Sequence, residues 1–357
     1  MPMNGKEKKT GTLNQEWNST QQMKEDMIAA LYEQLPDCYD MLQHIQIKLL
    51  KYSENVTFLI NEYNAPDQLV RKRVFRINRP EYHSVAELEG EIQWMKELST
   101  ETHLTLPEVY QGKDTKAIQQ INVKGIAFTG IMFTYLEGRM VEELSGAALC
   151  KQMVQIGKIL AQLHIQSQNR DAKIRIERFS WGISDFFGNE ARWGNWRDFS
   201  KVHGMTKEQY ALMERTEQEI IRHLKEWGTS SEHYGLIHAD MHCSNIMLYQ
   251  GDFQIFDFDD SGYGWYLYDF GCTLVEYDNP QELLTYLVMG YEQIKPLSVS
   301  EKSELQMFVL LRRIVRLAWI AGHHDNDTVK GISEAYYTET YRMATQWLAD
   351  GCNDRWV

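Results

Sequence analysis

The chain has 357 residues, 43% hydrophobic and 24% charged, with a formal net charge of −13. It is long enough to fill more than one hydrophobic core. It lacks the basic footprint of a nucleic-acid binder, and no apolar run approaches the roughly 18 residues of a membrane span. The five cysteines follow no metal or disulfide spacing, and the first nine residues carry no apolar signal core. Both features place the expected protein in the reducing cytoplasm.

Residues 1–20 are polar and read as a disordered tail. Over 21–50, Met23, Met27, Ala30, Leu31, Met41, Leu42, Ile45 and Leu49 recur at helical spacing, and Pro36-Asp37 divides them into two predicted helices. A strand is predicted over 53–61, a turn at Asn64-Ala65-Pro66-Asp67 and a second strand over 68–77, on which Val74 and Arg76 share a face. Residues 85–98 read as a helix with Val85, Leu88, Ile92 and Met95 in one stripe and Glu91 beside it. A hairpin over 117–135 turns at Lys124-Gly125. Beyond Gly138 the pattern turns helical. Met153, Ile156, Ile159, Leu160 and Leu163 lead to His164, and further helices are expected over 207–227, 280–293, 301–322 and 332–348. Residues 168–205 form an irregular segment rich in Trp and Phe. The class is α+β, with a small β-rich region over 21–136 and a larger, mainly helical one over 137–357.

The stretch with chemistry in it is Leu236-Ile237-His238-Ala239-Asp240-Met241-His242-Cys243-Ser244-Asn245, followed by Phe256-Asp257-Phe258-Asp259-Asp260. Two short strands and a turn at Gln250-Gly251-Asp252 separate the two polar pieces, so a hairpin brings Asp257 back toward Asn245. Asp240 suits a group that accepts a proton from an attacking hydroxyl. Asn245 and Asp257 offer the hard oxygens that Mg²⁺ prefers. The rival for this stretch is metal-assisted hydrolysis, with His238, Asp240 and His242 at alternate positions as ligands. A dinuclear hydrolase needs further histidines downstream, and the later ones, His323 and His324, stand in a helical context.

The order His-x-Asp-x-x-x-x-Asn and then Asp-Phe-x is that of a kinase catalytic loop. The stretch resembles the aminoglycoside phosphotransferase/choline kinase family, whose loop commonly reads His-Gly-Asp-x-His-x-x-Asn. Ala239 stands where that family usually has Gly. The run from Gly262 to Phe270 is similar to the family's Gly-x-x-x-x-Asp-[Leu/Phe] segment. The resemblance implies a two-lobed protein-kinase-like fold with Mg·ATP between the lobes. It implies that Arg76, in Phe75-Arg76-Ile77, meets the α- and β-phosphates. Glu91, in Glu-x-x-Trp-Met, would orient that arginine, and Val74 would lie beneath the base. Met132, Thr134 and Leu136 would belong to the segment that reads adenine. Ser53, Glu54 and Asn55 stand where a Gly-rich phosphate loop is usual, and their backbone amides would serve instead. His164 is read as a buried structural histidine.

The expected enzyme moves the γ-phosphate of ATP to a hydroxyl of a small molecule such as an amino sugar or amino alcohol. Asp240 orients the acceptor hydroxyl and takes its proton, Asn245 and Asp257 hold the metal, and Asp259 or Asp260 binds the acceptor. Asp269 is expected to pin the loop through backbone hydrogen bonds. The runners-up are a protein Ser/Thr kinase of the bacterial stress-response type and a nucleotide-binding pseudokinase. The chain lacks the Ala-Pro-Glu segment that anchors a peptide platform, which favours small acceptors, although those stress-response kinases lack it as well.

Overall fold

The structure is a computed structural model, and it describes residues 21–352 except 53–54, 67, 172–173, 190, 324–328 and 330. The polar tail, Ser53, Glu54 and most of the 323–327 cluster therefore lie outside the described residues. The chain divides into two compact units. One runs to Lys96 and takes up again over Leu106–Glu137; the other holds Glu97–Thr105 and everything from Gly138.

The first unit is a five-stranded antiparallel sheet in the order β1-β2-β3-β5-β4. Its strands are β1 (His44–Tyr52), β2 (Val56–Ala65), β3 (Gln68–Ile77), β4 (Ile118–Val123) and β5 (Ile126–Thr134). Helix α1 (Gln21–Cys38) packs Met27, Leu31 and Leu35 with Val56, Phe58, Phe75, Ile121 and Met132 in one buried core. The second predicted helix is instead strand β1. Residues Met41, Leu42, Ile45 and Leu49 match a helical spacing by coincidence. The alternation of Ile45, Ile47 and Leu49 with exposed His44, Gln46 and Lys48 is the pattern that wins, because pairing with β2 buries it on one face. Strand β2 also runs on through Asn64 and Ala65, two positions assigned to the turn. Strand alternation puts Phe75 and its partner Met132 on the core face, and Val74, Arg76, Ile131 and Phe133 on the other. Helix α2 (Val85–Glu101) follows β3 and supplies Glu91 to that second face.

The second unit is mainly helical: α3 (Gly146–Asn169), α4 (Ile183–Phe187), α5 (Trp196–His203), α6 (Lys207–Trp227), α7 (Tyr268–Leu274), α8 (Pro280–Tyr291), α9 (Val299–Gly322) and α10 (Glu334–Ala349). Gly157 of α3 and Gly290 of α8 let the two helices touch backbone to backbone, since a Cβ on Gly157 would sit 2.0 Å from the Leu287 carbonyl oxygen. Short strands frame the polar loops: β6 (Arg139–Met140), β7 (Tyr234–Ile237), β8 (Ile246–Tyr249), β9 (Asp252–Ile255) and β10 (Gly262–Trp265). β7 pairs with β10 and β8 with β9, both antiparallel. No described helix is long and apolar enough to cross a membrane.

Candidate active site

The pairing of β7 with β10 and of β8 with β9 forces the loop 238–245 against the loop 256–261. Gln250 and Gly251, both at positive φ, make the tight turn between β8 and β9. The Phe256 amide then donates to the Asn245 carbonyl (3.2 Å), which sets Asp257 beside Asn245. The Asn245 amide nitrogen donates to the Asp240 carbonyl (3.0 Å) and to Asp240 Oδ2 (3.1 Å). Its nitrogen end thus faces Asp240, and its Oδ1 is the end left for a cation. Asp240 and Asn245 are brought together side chain to side chain, and Asp257 follows one residue after the backbone bond that joins the loops.

Two residues in these loops adopt left-handed backbone: Ala239 and Asp257, each at φ 63°. A β-carbon there costs roughly 1–2 kcal/mol, which explains why glycine is the usual residue at the first position. The compensation for Ala239 is visible. Asp269, at the start of α7, accepts the Ala239 amide on Oδ1 (2.7 Å) and the His238 amide on Oδ2 (3.1 Å). This is the loop-pinning role expected of Asp269. The same Oδ2 meets His164 Nε2 (3.1 Å), while His164 Nδ1 meets the Tyr291 hydroxyl (3.0 Å). His164 is fully buried, and burial pushes its pKa down against the pull of Asp269.

His238 is likewise structural. It is fully buried, its Nδ1 accepts the Asp240 amide (3.3 Å), and its Nε2–H points to the Phe256 carbonyl (3.2 Å). Both ring nitrogens are spent inside the protein, so His238 is no metal ligand and the alternate-position hydrolase arrangement does not form. Cys243 is a buried filler beside Tyr277, its thiol pushed up to about 12 by burial.

Asp240 has three partners on its two oxygens. His242 Nε2 is 3.0 Å from Oδ2, where Asn245 also donates, and Arg312 Nη2 donates to Oδ1 at 2.7 Å. Burial alone would raise its pKa, but His242 and Arg312 more than offset this and hold it well below the usual carboxylate range. Arg312 escaped the sequence reading. It comes from the middle of α9, 72 residues away, and it is 5% exposed with its guanidinium over the Trp193 ring (4.4 Å). The signal was a cation inside an apolar helical run, which is hard to bury without a partner.

The aromatic segment settles into the second unit. Trp181, Phe186, Phe187, Trp196 and Phe199 are buried, while Trp193 is half-buried on Arg312. The segment also holds the acidic loop by its backbone. Arg178 donates to the carbonyls of Ser261 (2.5 Å) and Asp259, and Trp181 Nε1 to that of Asp260 (2.7 Å). Asp259 and Asp260 are themselves nearly buried, and Asp260 lies close enough to Arg312 to stabilise its charge.

In the first unit, Arg76 and Glu91 form a buried two-pronged pair (2.9 and 2.7 Å), with Arg76 Nε on Asn78 (3.0 Å). The neighbouring cations are committed elsewhere: Arg71 and Arg73 to the buried Glu62, Lys72 to Glu137. Val74 shares the face of Arg76, but Met132 does not: its side chain is in the core, and its carbonyl accepts the Tyr110 amide. The Thr134 hydroxyl and amide are paired with Glu108, and Leu136 is half-buried. Asn55 is buried and caps the Arg79 amide. His323, at the end of α9, stacks on Trp319.

A model of the phosphotransferase enzyme family matches residues 51–300. Amicoumacin kinase of Bacillus subtilis (strain 168) is 21% identical over 299 residues, which is 80% of this chain and 82% of that one. Hydroxylysine kinase of Mus musculus is 26% identical over 195 residues, 51% of this chain and 50% of its own. Among solved structures, a microcompartment-associated aminopropanol kinase superposes with a TM-score of 0.79 at 28% identity, covering 90% of this chain and 98% of that one. An amicoumacin kinase in complex with AMP-PNP, Ca²⁺ and Ami shares the fold, with a TM-score of 0.69 at 18% identity over 96% and 97% of the two chains.

Proposed function

The chain belongs to the phosphotransferase enzyme family, a kinase fold acting on hydroxyl groups, and from that premise we propose that it transfers the γ-phosphate of Mg·ATP to a hydroxyl of a small amino alcohol. The observation that carries the reading is the convergence on Asp240 of Asn245, His242 and Arg312, with Asp257 next in the chain after the Phe256 amide that bonds the Asn245 carbonyl. Relatives named for aminopropanol, hydroxylysine and amicoumacin support a small acceptor. The first two of those names are of amino-bearing alcohols, which extends the proposal to an acceptor that carries an amine.

Asn245 Oδ1 and the Asp257 carboxylate are a hard-oxygen donor pair that fits Mg²⁺. When bound there, the ion supplies charge neutralisation on the phosphates. Arg76, held by Glu91, is the cation for the α- and β-phosphates. Asp240 accepts a hydrogen bond from the acceptor hydroxyl and fixes its attack direction. With His242 and Arg312 holding its proton affinity low, its main work is orientation, and it takes the proton late, as the bond to phosphorus forms.

The test is phosphate transfer from labelled ATP to a panel of aminopropanol, hydroxylysine, choline, homoserine, an aminoglycoside and a protein acceptor. Transfer to an amino alcohol supports the proposal. Transfer to the protein alone supports the stress-response type of kinase. ATP binding with no transfer to any acceptor sinks the enzymatic reading.

A further inference from the structure

Away from the catalytic loops, α6 presents Glu219 and His223 four residues apart, hence on one face. The turn after α10 brings Cys352 to the same place, and one ligand atom from each of the three lies within 4.8 Å of the others. Glu304, in the second turn of α9, receives His223 Nδ1 at 2.9 and 3.1 Å on its two oxygens. A carboxylate there accepts a proton, so it fixes the imidazole with hydrogen on Nδ1 and the lone pair on Nε2. That Nε2 is buried and makes no hydrogen bond. A buried imidazole lone pair left without a donor is costly unless something fills the place. An open cleft lined by His223, Glu304, Arg222, Glu226, Trp227 and Gly351 runs beside this histidine.

We propose that Glu219, His223 and Cys352 form a zinc-binding site, with Glu304 fixing the histidine from behind and the fourth position open to the cleft. The donor set argues for zinc over magnesium. Sulfur and imidazole nitrogen are ligands of a borderline-soft ion, whereas magnesium takes oxygen. Bond lengths of about 2.0–2.3 Å to a shared ion put tetrahedral ligands roughly 3.5 Å apart, so small rotamer changes close the present spacing. On binding, the thiol proton leaves to solvent and a thiolate–zinc bond forms. Glu219 contributes one carboxylate oxygen while its Oε2 stays on Arg222 (2.9 Å). The site ties α6 to the chain segment beyond α10, and none of its three ligands touches the loops around Asp240.

The experiment is a titration of the full-length, metal-stripped protein with Co²⁺ as a spectroscopic stand-in, followed by Zn²⁺. The expected result is one equivalent of Co²⁺ giving a thiolate-to-cobalt charge-transfer band, displaced by Zn²⁺, with a rise in melting temperature. Cys352→Ser should abolish the band, His223→Ala should weaken Zn²⁺ binding at least about a hundredfold, and Glu304→Gln about ten- to a hundredfold. All three variants, metal-free, should keep the wild-type circular dichroism spectrum, which shows that they fold. The readout needs no activity, so it stands or falls apart from the kinase proposal. The site is refuted by the absence of a thiolate band. It is equally refuted by a band that survives Cys352→Ser, or by Zn²⁺ bound as tightly by His223→Ala, which would put the ion elsewhere in the molecule.

Discussion

At the scale of single residues, the consequence of the geometry is concentrated on Asp240. Replacing it with Ala should lower turnover by about 10²–10⁴ with folding unchanged by circular dichroism, the usual worth of a positioned proton acceptor. Arg312 gives a sharper test. It donates to Asp240 Oδ1 at 2.7 Å and keeps that carboxyl ionised. Arg312→Ala should cost about ten- to a hundredfold in kcat, the worth of a charge-assisted hydrogen bond, and move the acid limb of the pH–rate profile upward. Arg312→Lys should restore part of both. A full loss of activity with an unmoved acid limb would mean that Arg312 serves folding alone. The contrast between these two residues says what was readable. Asp240, Asn245 and Asp257 stand within one hairpin, so their spacing in sequence is their spacing in space. Arg312 reaches the same carboxylate from 72 positions away, a distance over which no local pattern carries information.

At the scale of elements, the pairing of Arg76 with Glu91 joins β3 to α2, and the family resemblance named that pair among four nearby cations. All four cations have a carboxylate partner, and only that of Arg76 comes from α2; the other three pair with Glu62 or Glu137. Because the pair is buried, Glu91→Ala should destabilise the protein by about 3–5 kcal/mol by stranding a buried guanidinium. The double change Arg76→Met with Glu91→Leu should destabilise less than that single one, while still raising the KM for ATP. Urea titration and ATP kinetics on both variants check this, and a double variant weaker than the single would overturn it. The same scale shows where the sequence misled. Residues 44–52 satisfy a helical and an alternating template at once, and only the partner strand β2 decides between them. The contact of α3 with α8 was equally hidden, because it depends on two glycines 133 positions apart meeting backbone to backbone. In an exposed helix Gly→Ala gains about 1 kcal/mol. Gly157→Ala should instead lose about 1–3 kcal/mol, since its methyl group would press on the backbone of Leu287 and Tyr291 in α8, with the Leu287 carbonyl oxygen at 2.0 Å. A rise in melting temperature would show that the two helices can slide apart.

At the scale of the whole molecule, the α+β order of a protein-kinase-like chain was legible from composition and periodicity, since β-branched alternation gives way to helical stripes after Gly138. What composition hides is which charges are buried, and that sets the response to pH. His164 and His238 are both fully buried, and desolvation lowers the pKa of each despite the carboxylates of Asp269 and Asp240 nearby. In the unfolded chain both titrate near about 6.5. Below that pH the unfolded state therefore binds protons that the folded state refuses, and stability falls as pH falls toward the folded-state values. Above it both states are neutral and the two histidines give no slope. Asp240 behaves differently within this window. Its folded pKa lies below the unfolded value of about 3.9, so its contribution stays intact until the pH falls beneath that value. The loss between pH 7 and 5 should thus be histidine-borne, at roughly 1.4 kcal/mol per pH unit for each site and at most about 4 kcal/mol for both at pH 5. Urea unfolding at pH 7.5, 6.5, 5.5 and 5.0 measures it. His164→Gln, which keeps a donor for Asp269 and cannot titrate, should remove about half of the slope. A stability that is level down to pH 5, or a slope that His164→Gln leaves whole, would show that the acid sensitivity of the second unit resides outside the cluster that pins the catalytic loop.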